Sequence, residues 1–198
     1  TSITFGVKYH HGDAKEGWLD MYDAAVSFQG FARALSITAH ALLNEGEVRK
    51  KGHQLKGGEI YIKPSKKGSF EQVVTFVITN PEVIGASVAA NAFYDLIKWT
   101  WSKAFEIAYE PKTPHVRKLA DRVEPFIEEM EEELEAPLEQ AHRPIKKDGD
   151  VVVTINRPRV GPVVTLNSDT LETVSLHIED EVVRNIRGNV TRYNILSG

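Results

Sequence analysis

The 198-residue chain contains no cysteine. That absence removes disulfide scaffolds, thiolate zinc sites, iron–sulfur clusters and cysteine nucleophiles from consideration. A secretory signal would need a basic start and an apolar run of about 7 to 15 residues. Residues 1–10 alternate instead, so the cytoplasm is the expected location. No Walker A loop, dinucleotide fingerprint, HExxH pair or EF-hand loop occurs, so enzymes built on those frames are excluded and no cofactor is expected. The nearest approach to a nucleophile elbow, Gly85-Ala86-Ser87-Val88-Ala89, lacks the second glycine and falls inside a helical pattern. A large excess of one charge is missing too. The 24 Lys and Arg against 28 Asp and Glu leave a formal net charge of −4, which indicates no wholesale attraction to nucleic acid or anionic lipid. What is present, 41% hydrophobic and 26% charged residues, is the mixture of a globular protein.

Ile3, Phe5, Val7 and Tyr9 alternate with polar or small residues, the period of a half-buried strand. From Asp20 to Leu43 the spacing becomes helical, with Met21, Ala24, Ala25, Phe28, Phe31, Ala32, Leu35, Ala39 and Leu42 on one stripe. Gly30 interrupts that stripe at a cost of about 1 kcal/mol against Ala, which points to a close helix crossing. Residues 59–63 and 70–79 predict a β-hairpin around 64–69; its second strand is apolar on both faces and is expected to lie centrally. Asn80-Pro81-Glu82 opens a second helix that should run to about Tyr109. Its apolar circumference suggests a membrane span, but Asn91, Asp95, Lys98 and Lys103 interrupt it at intervals shorter than the roughly 20 residues a span needs. Burial within protein is therefore expected. Thr113-Pro114 opens a third helix with Val116, Leu119, Met130, Leu134, Leu138 and Ala141 on its stripe; Pro125 and Pro137 should each kink or restart it.

Near residue 148 the composition shifts, and 151–156 and 163–167 are β-type runs. The expected fold class is α+β: an antiparallel sheet packed against long amphipathic helices over residues 1–147, then a short β-rich segment over 148–198. Residues 190–196 read as a strand and Ser197-Gly198 as the opening of a turn. A free edge there would be a liability, which predicts that the chain is the N-terminal part of a longer protein or that its last strand pairs with another chain.

The net charge conceals two opposed segments. Between Val48 and Lys67 seven basic residues stand against Glu59 alone, and between Asp121 and Glu139 nine acidic residues stand against Arg122 alone. Pairing of the acidic helix of one copy, at Glu128, Glu131, Glu132 and Glu135, with the basic hairpin of the next would set the register of a homo-oligomer or select a protein partner. Trp99 and Trp101 close an aromatic-rich end of the second helix and are the expected apolar part of that interface. A non-enzymatic assembly domain is the leading reading. The alternative is a nucleic-acid-binding module that uses Arg49, Lys50, Lys51, Lys56, Lys66 and Lys67 as phosphate contacts, although few aromatic residues accompany them for base stacking. A third reading places a metal-dependent enzyme at His10, His11 and Asp13, with His53 as a remote ligand. Adjacent histidines on a strand point to opposite sides, which counts against it.

The order of strand, long helix and hairpin with Lys66-Lys67-Gly68-Ser69-Phe70-Glu71, then an apolar helix ending Leu96-Ile97-Lys98-Trp99-Thr100-Trp101, resembles a group of bacterial and phage-associated proteins built on a domain of unknown function. The resemblance covers residues 1 to about 105. Arg187-Gly188-Asn189-Val190 similarly looks like the first strand of a small C-terminal β-barrel. The resemblance implies a multidomain bacterial protein in a phage-related setting such as defence, and it transfers neither an activity nor a catalytic residue.

Overall fold

A computed structural model describes residues 1–49, 55–63, 70–79, 86–121 and 126–179. Among the described residues the architecture is α+β, with one five-stranded antiparallel sheet and helices packed against it. The strands are β1 (Ser2–His10), β2 (Gly58–Lys63), β3 (Glu71–Ile78), β4 (Val152–Arg157) and β5 (Gly161–Leu166), in the order β2-β3-β1-β4-β5. The helices are α1 (Met21–Leu43), α2 (Ala86–Ala104), α3 (Pro114–Ala120), α4 (Phe126–Ala141), α5 (Arg143–Lys147) and α6 (Ser168–Glu179), with a 3₁₀ turn at Gly12–Glu16.

Alternation sets the sheet. Ile3, Phe5, Val7 and Tyr9 of β1 are buried, and register brings Ile3 beside Phe76, Phe5 beside Val74, Val7 beside Ile155 and Tyr9 beside Val153. The intervening Thr4, Lys8 and His10 are half-buried, and the Thr4 hydroxyl lies 3.1 Å from that of Thr75. β3, apolar on both faces, is interior between β2 and β1. β4 pairs with the other side of β1, so strands on both sides of residue 148 belong to one sheet.

Asp20 caps α1, its Oδ1 accepting from the N–H groups of Tyr22 and Asp23 at 3.0 Å. Ala24, Phe31, Leu35, Ala39 and Leu42 of the expected stripe are buried, whereas Met21, Ala25 and Ala32 are exposed, and Asp23 faces inward in the first turn. α2 is buried along Phe93, Leu96, Ile97 and Trp101, and no described helix is long and apolar enough to cross a membrane. The helix start expected at 80–82, the hairpin tip at 64–69, Pro125 and the strand expected at 190–196 lie outside the described residues. Pro137 lies inside α4, which continues through it to Ala141 without a restart there. The turn that lacks its N–H is clamped against α1, and the restart falls at α5, where Pro144 occupies the first turn that requires no N–H donor.

The helical layers are joined at Gly30, the close crossing its place in the stripe suggested. A Cβ there would lie 2.4 Å from the Ala141 nitrogen and 2.5 Å from the Pro137 carbonyl oxygen. One turn away, the Ser27 hydroxyl donates to the Ala141 carbonyl at 2.7 Å and accepts from the Tyr9 hydroxyl of β1 at 2.9 Å. Gly30→Ala gains about 1 kcal/mol of helix propensity, yet overpacking of two backbones should dominate, lowering the unfolding free energy by about 2 kcal/mol. Urea denaturation measures this, and a neutral or stabilised variant would show that the crossing has slack.

Candidate functional site

Of the residues singled out by charge and aromaticity, only some fall among the described residues. Lys50, Lys51, His53, Lys66 and Lys67 lie outside the described residues. Lys56 has an exposed side chain, while its backbone N–H reaches His40 Nδ1 at 3.5 Å. Arg49 is half-buried, and its charge helps burial hold His40 below the usual imidazole range. Along α4, Glu128 and Glu132 are exposed, Glu131 pairs with Lys103 of the same chain at 3.4 Å, and Glu135 is half-buried. Trp99 packs against the core with its ring centre 5.7 Å from that of Phe126. Trp101 is 0% exposed and cannot meet a partner. Its Nε1 donates to the Thr38 hydroxyl at 3.0 Å and its ring stacks on Phe31, so the interface role expected of it is replaced by one in the core.

His10 and His11 also differ from expectation. His11 adopts φ 58°, which turns its ring back to 6.1 Å from that of His10. The His10 Nε2 is 2.9 Å from the Thr154 hydroxyl, and burial holds this imidazole below its ordinary range. Among the described residues no group of three or more His, Asp or Glu is placed to hold a metal ion.

The surface that departs most from ordinary composition lies where the 3₁₀ turn enters α1. Trp18 is 74% exposed, Met21 88% and Tyr22 67%, three large apolar side chains within five residues. Their base is anchored by local contacts. Leu19 packs on the core, the Trp18 N–H donates to the Asp13 carbonyl at 3.2 Å, and Gly17 supplies the left-handed turn at φ 81°. Beneath Tyr22, the Arg143 guanidinium stands 5.6 Å from the ring centre while its Nε donates to Asp23 at 2.8 Å. Lys147 lies 3.2 Å from Asp20 and 3.5 Å from Asp23. The Asp23 N–H, and then the Lys147 ammonium, hold the Asp20 carboxyl below its usual range. The adjoining cavity, about 40 Å³ between Leu19, Pro144 and Val151, is too small for a ligand. The chemical capacity of this region is therefore contact with another surface.

α5, which supplies Arg143 and Lys147, is held by the residue before it. His142 Nδ1 donates to the Leu138 carbonyl at 2.7 Å, Nε2 lies 2.8 Å from the Thr170 hydroxyl of α6, and Phe105 meets the ring edge-on. Sequence patterning offered no signal for this histidine, or for Trp18 and Tyr22, because each stands outside the apolar stripes.

Fold and surface together define an α+β domain with an exposed apolar patch at the start of its first helix. The chain belongs to the family described as Domain of unknown function (DUF7946), whose family model matches residues 5–175, from β1 into α6. That membership agrees with the domain of unknown function expected from the sequence, and the match runs past residue 105, where the resemblance ended. No curated protein and no solved structure matches the chain.

Burial pushes His142 down to about 4 from an ordinary 6.5. The fold holds the neutral ring, so its contribution is complete above pH 6.5 and is lost as pH falls toward 4, amounting to about 3 kcal/mol. Denaturation free energies measured between pH 7 and 4 should fall with decreasing pH, and His142→Gln should flatten that slope by a comparable amount. A slope unaffected by the substitution would mean that the ring titrates alike in the folded and unfolded chain.

Proposed function

We propose that this domain is a non-enzymatic assembly module that pairs with a second copy of itself through Trp18, Met21 and Tyr22. The observation that carries the reading is the exposure of these three large side chains within five residues. Together they present on the order of 450 Å² of largely apolar surface, the scale of the largest patch on a monomer, which is commonly functional. A standard interface buries about 800 Å² per partner, so the patch would furnish roughly half and its rim the remainder.

Exposed charges of both signs, Lys15 and Glu16, precede the patch in the chain, while Lys147 and Asp20 beside it pair with each other. An isologous interface needs such self-complementarity, because each residue meets the twofold equivalent of its counterpart. A rim of one sign would favour a partner of opposite charge instead. The acidic face of α4 remains available to a further contact through Glu128 and Glu132.

Sedimentation equilibrium of the chain should give a dimer mass at about 100 μM, consistent with the micromolar affinities open to an interface of this size. The triple variant Trp18→Ser, Met21→Ser, Tyr22→Ser should sediment as a monomer that still unfolds cooperatively, its thermal midpoint lowered by only a few degrees through loss of the Tyr22–Arg143 contact. A monomeric wild-type chain at that concentration would end the proposal, and a dimeric triple variant would move the interface elsewhere.

A further inference from the structure

A groove of about 400 Å³ lies between α2, the segment that follows it and the β4–β5 hairpin. Its floor is organised by Asp95, a buried carboxylate on α2. Oδ1 accepts from the Tyr109 hydroxyl at 2.8 Å, and Oδ2 accepts from the N–H groups of Lys112 and Thr113, at 2.8 and 2.6 Å, and from the Thr113 hydroxyl at 2.8 Å. These four bonds tie the segment back onto the helix and occupy the carboxylate. Burial, with help from Asp95, pushes the Tyr109 phenol up to about 12, so the ring stays neutral at physiological pH.

Three cations surround this floor. Lys98 Nζ stands 5.0 Å and Lys112 Nζ 5.9 Å from the Tyr109 ring centre, and the Arg157 guanidinium stands 5.1 Å from that of Tyr94. Arg157 is further fixed by donating from Nη2 to Asn91 Oδ1 at 2.8 Å. Among the described residues none of the three forms an ion pair, whereas Lys103, Arg143, Lys146 and Lys147 each meet a carboxylate. The difference has a chemical consequence. A carboxylate neutralises the cation it holds; an aromatic face positions a cation by its quadrupole and leaves the charge in place. The groove thus retains three positioned, uncancelled positive side chains against one fully engaged carboxylate. Its other wall is apolar, made by Val160, 70% exposed, with Pro162 and Val163.

We propose that this groove binds a phosphorylated small molecule of nucleotide size, with phosphate oxygens on Lys98, Lys112 and Arg157 and the apolar or planar part against Val160, Pro162 and Val163. The volume falls in the range of small-molecule sites. Arg157 supplies a planar fork and the two lysines point charges, the pairing that phosphate groups favour.

The test is calorimetric titration of the full chain with ATP, with inorganic pyrophosphate and adenosine as the two separated halves. We expect saturable ATP binding at one site per chain, weaker binding of pyrophosphate, and adenosine at least about a hundredfold weaker than ATP, as loss of charge-assisted bonds requires. Lys98→Met and Arg157→Met should each weaken ATP about tenfold, while Lys118→Met, exposed on α3, leaves it unchanged. If circular dichroism shows either variant misfolded, Lys112→Met, with an exposed side chain after α2, takes its place. Absence of ATP binding at millimolar concentration, equal affinity for adenosine, or binding that survives the substitutions would overturn the proposal. So would binding of a single-stranded oligonucleotide without ATP, which would assign the cations to a nucleic-acid backbone.

Discussion

The structure depends on the approach of two helix backbones at Gly30. Because that residue has no Cβ, the Pro137 carbonyl and the Ala141 amide of α4 come within a distance of α1 that no side chain permits. The approach brings the Ala141 carbonyl to the Ser27 hydroxyl, which in turn receives the hydroxyl of Tyr9 from the sheet. Strand, inner helix and outer helix are thus linked through one short polar chain in which every buried group has a partner, and leaving such a group unpaired costs about 1 to 3 kcal/mol. The position of α4 then fixes His142 at its end, α5 beyond it, and through Thr170 the packing of α6.

Two regions of the surface hold cations by opposite means. At the start of α1, Arg143 and Lys147 are matched to Asp23 and Asp20, so the network stiffens the base of the apolar patch and leaves little net charge beneath it. At the end of α2, the cations rest on tyrosine rings and keep their charge. The first arrangement suits contact with an apolar surface, the second an anion. Both lie apart from the Glu-rich face of α4, where Lys103 offsets Glu131 and the outermost carboxylates face solvent.

Much of the fold was legible along the chain. Alternation marked β1, the centrality of β3 followed from apolar residues on both faces, and the stripe of α4 appeared as Met130, Leu134, Leu138 and Ala141. Gly30 was legible as well, since a glycine in a long apolar stripe has few reasons other than proximity. Met21 was misplaced because helical spacing specifies an angle and says nothing of where the helix overhangs its support. Trp101 was misplaced because aromatic content does not separate an indole with a buried hydroxyl partner from one at a surface. Pro137 is accommodated inside α4 because packing on α1 holds a turn that has lost one hydrogen bond.

By itself the sequence determined the antiparallel α+β class, the strands β1 to β5 and the stripes of α1 and α4, and the lack of any cysteine chemistry, because these follow from residue type and short-range periodicity, whereas α5 and α6 carried no such signal. Tertiary structure alone decided that β4 completes the sheet beside β1, that Trp18, Met21 and Tyr22 remain outside, and that Lys98, Lys112 and Arg157 share one groove. Each of those outcomes joins residues distant in sequence or depends on what covers a side chain, and neither pairing nor cover is encoded in the local spacing of residues.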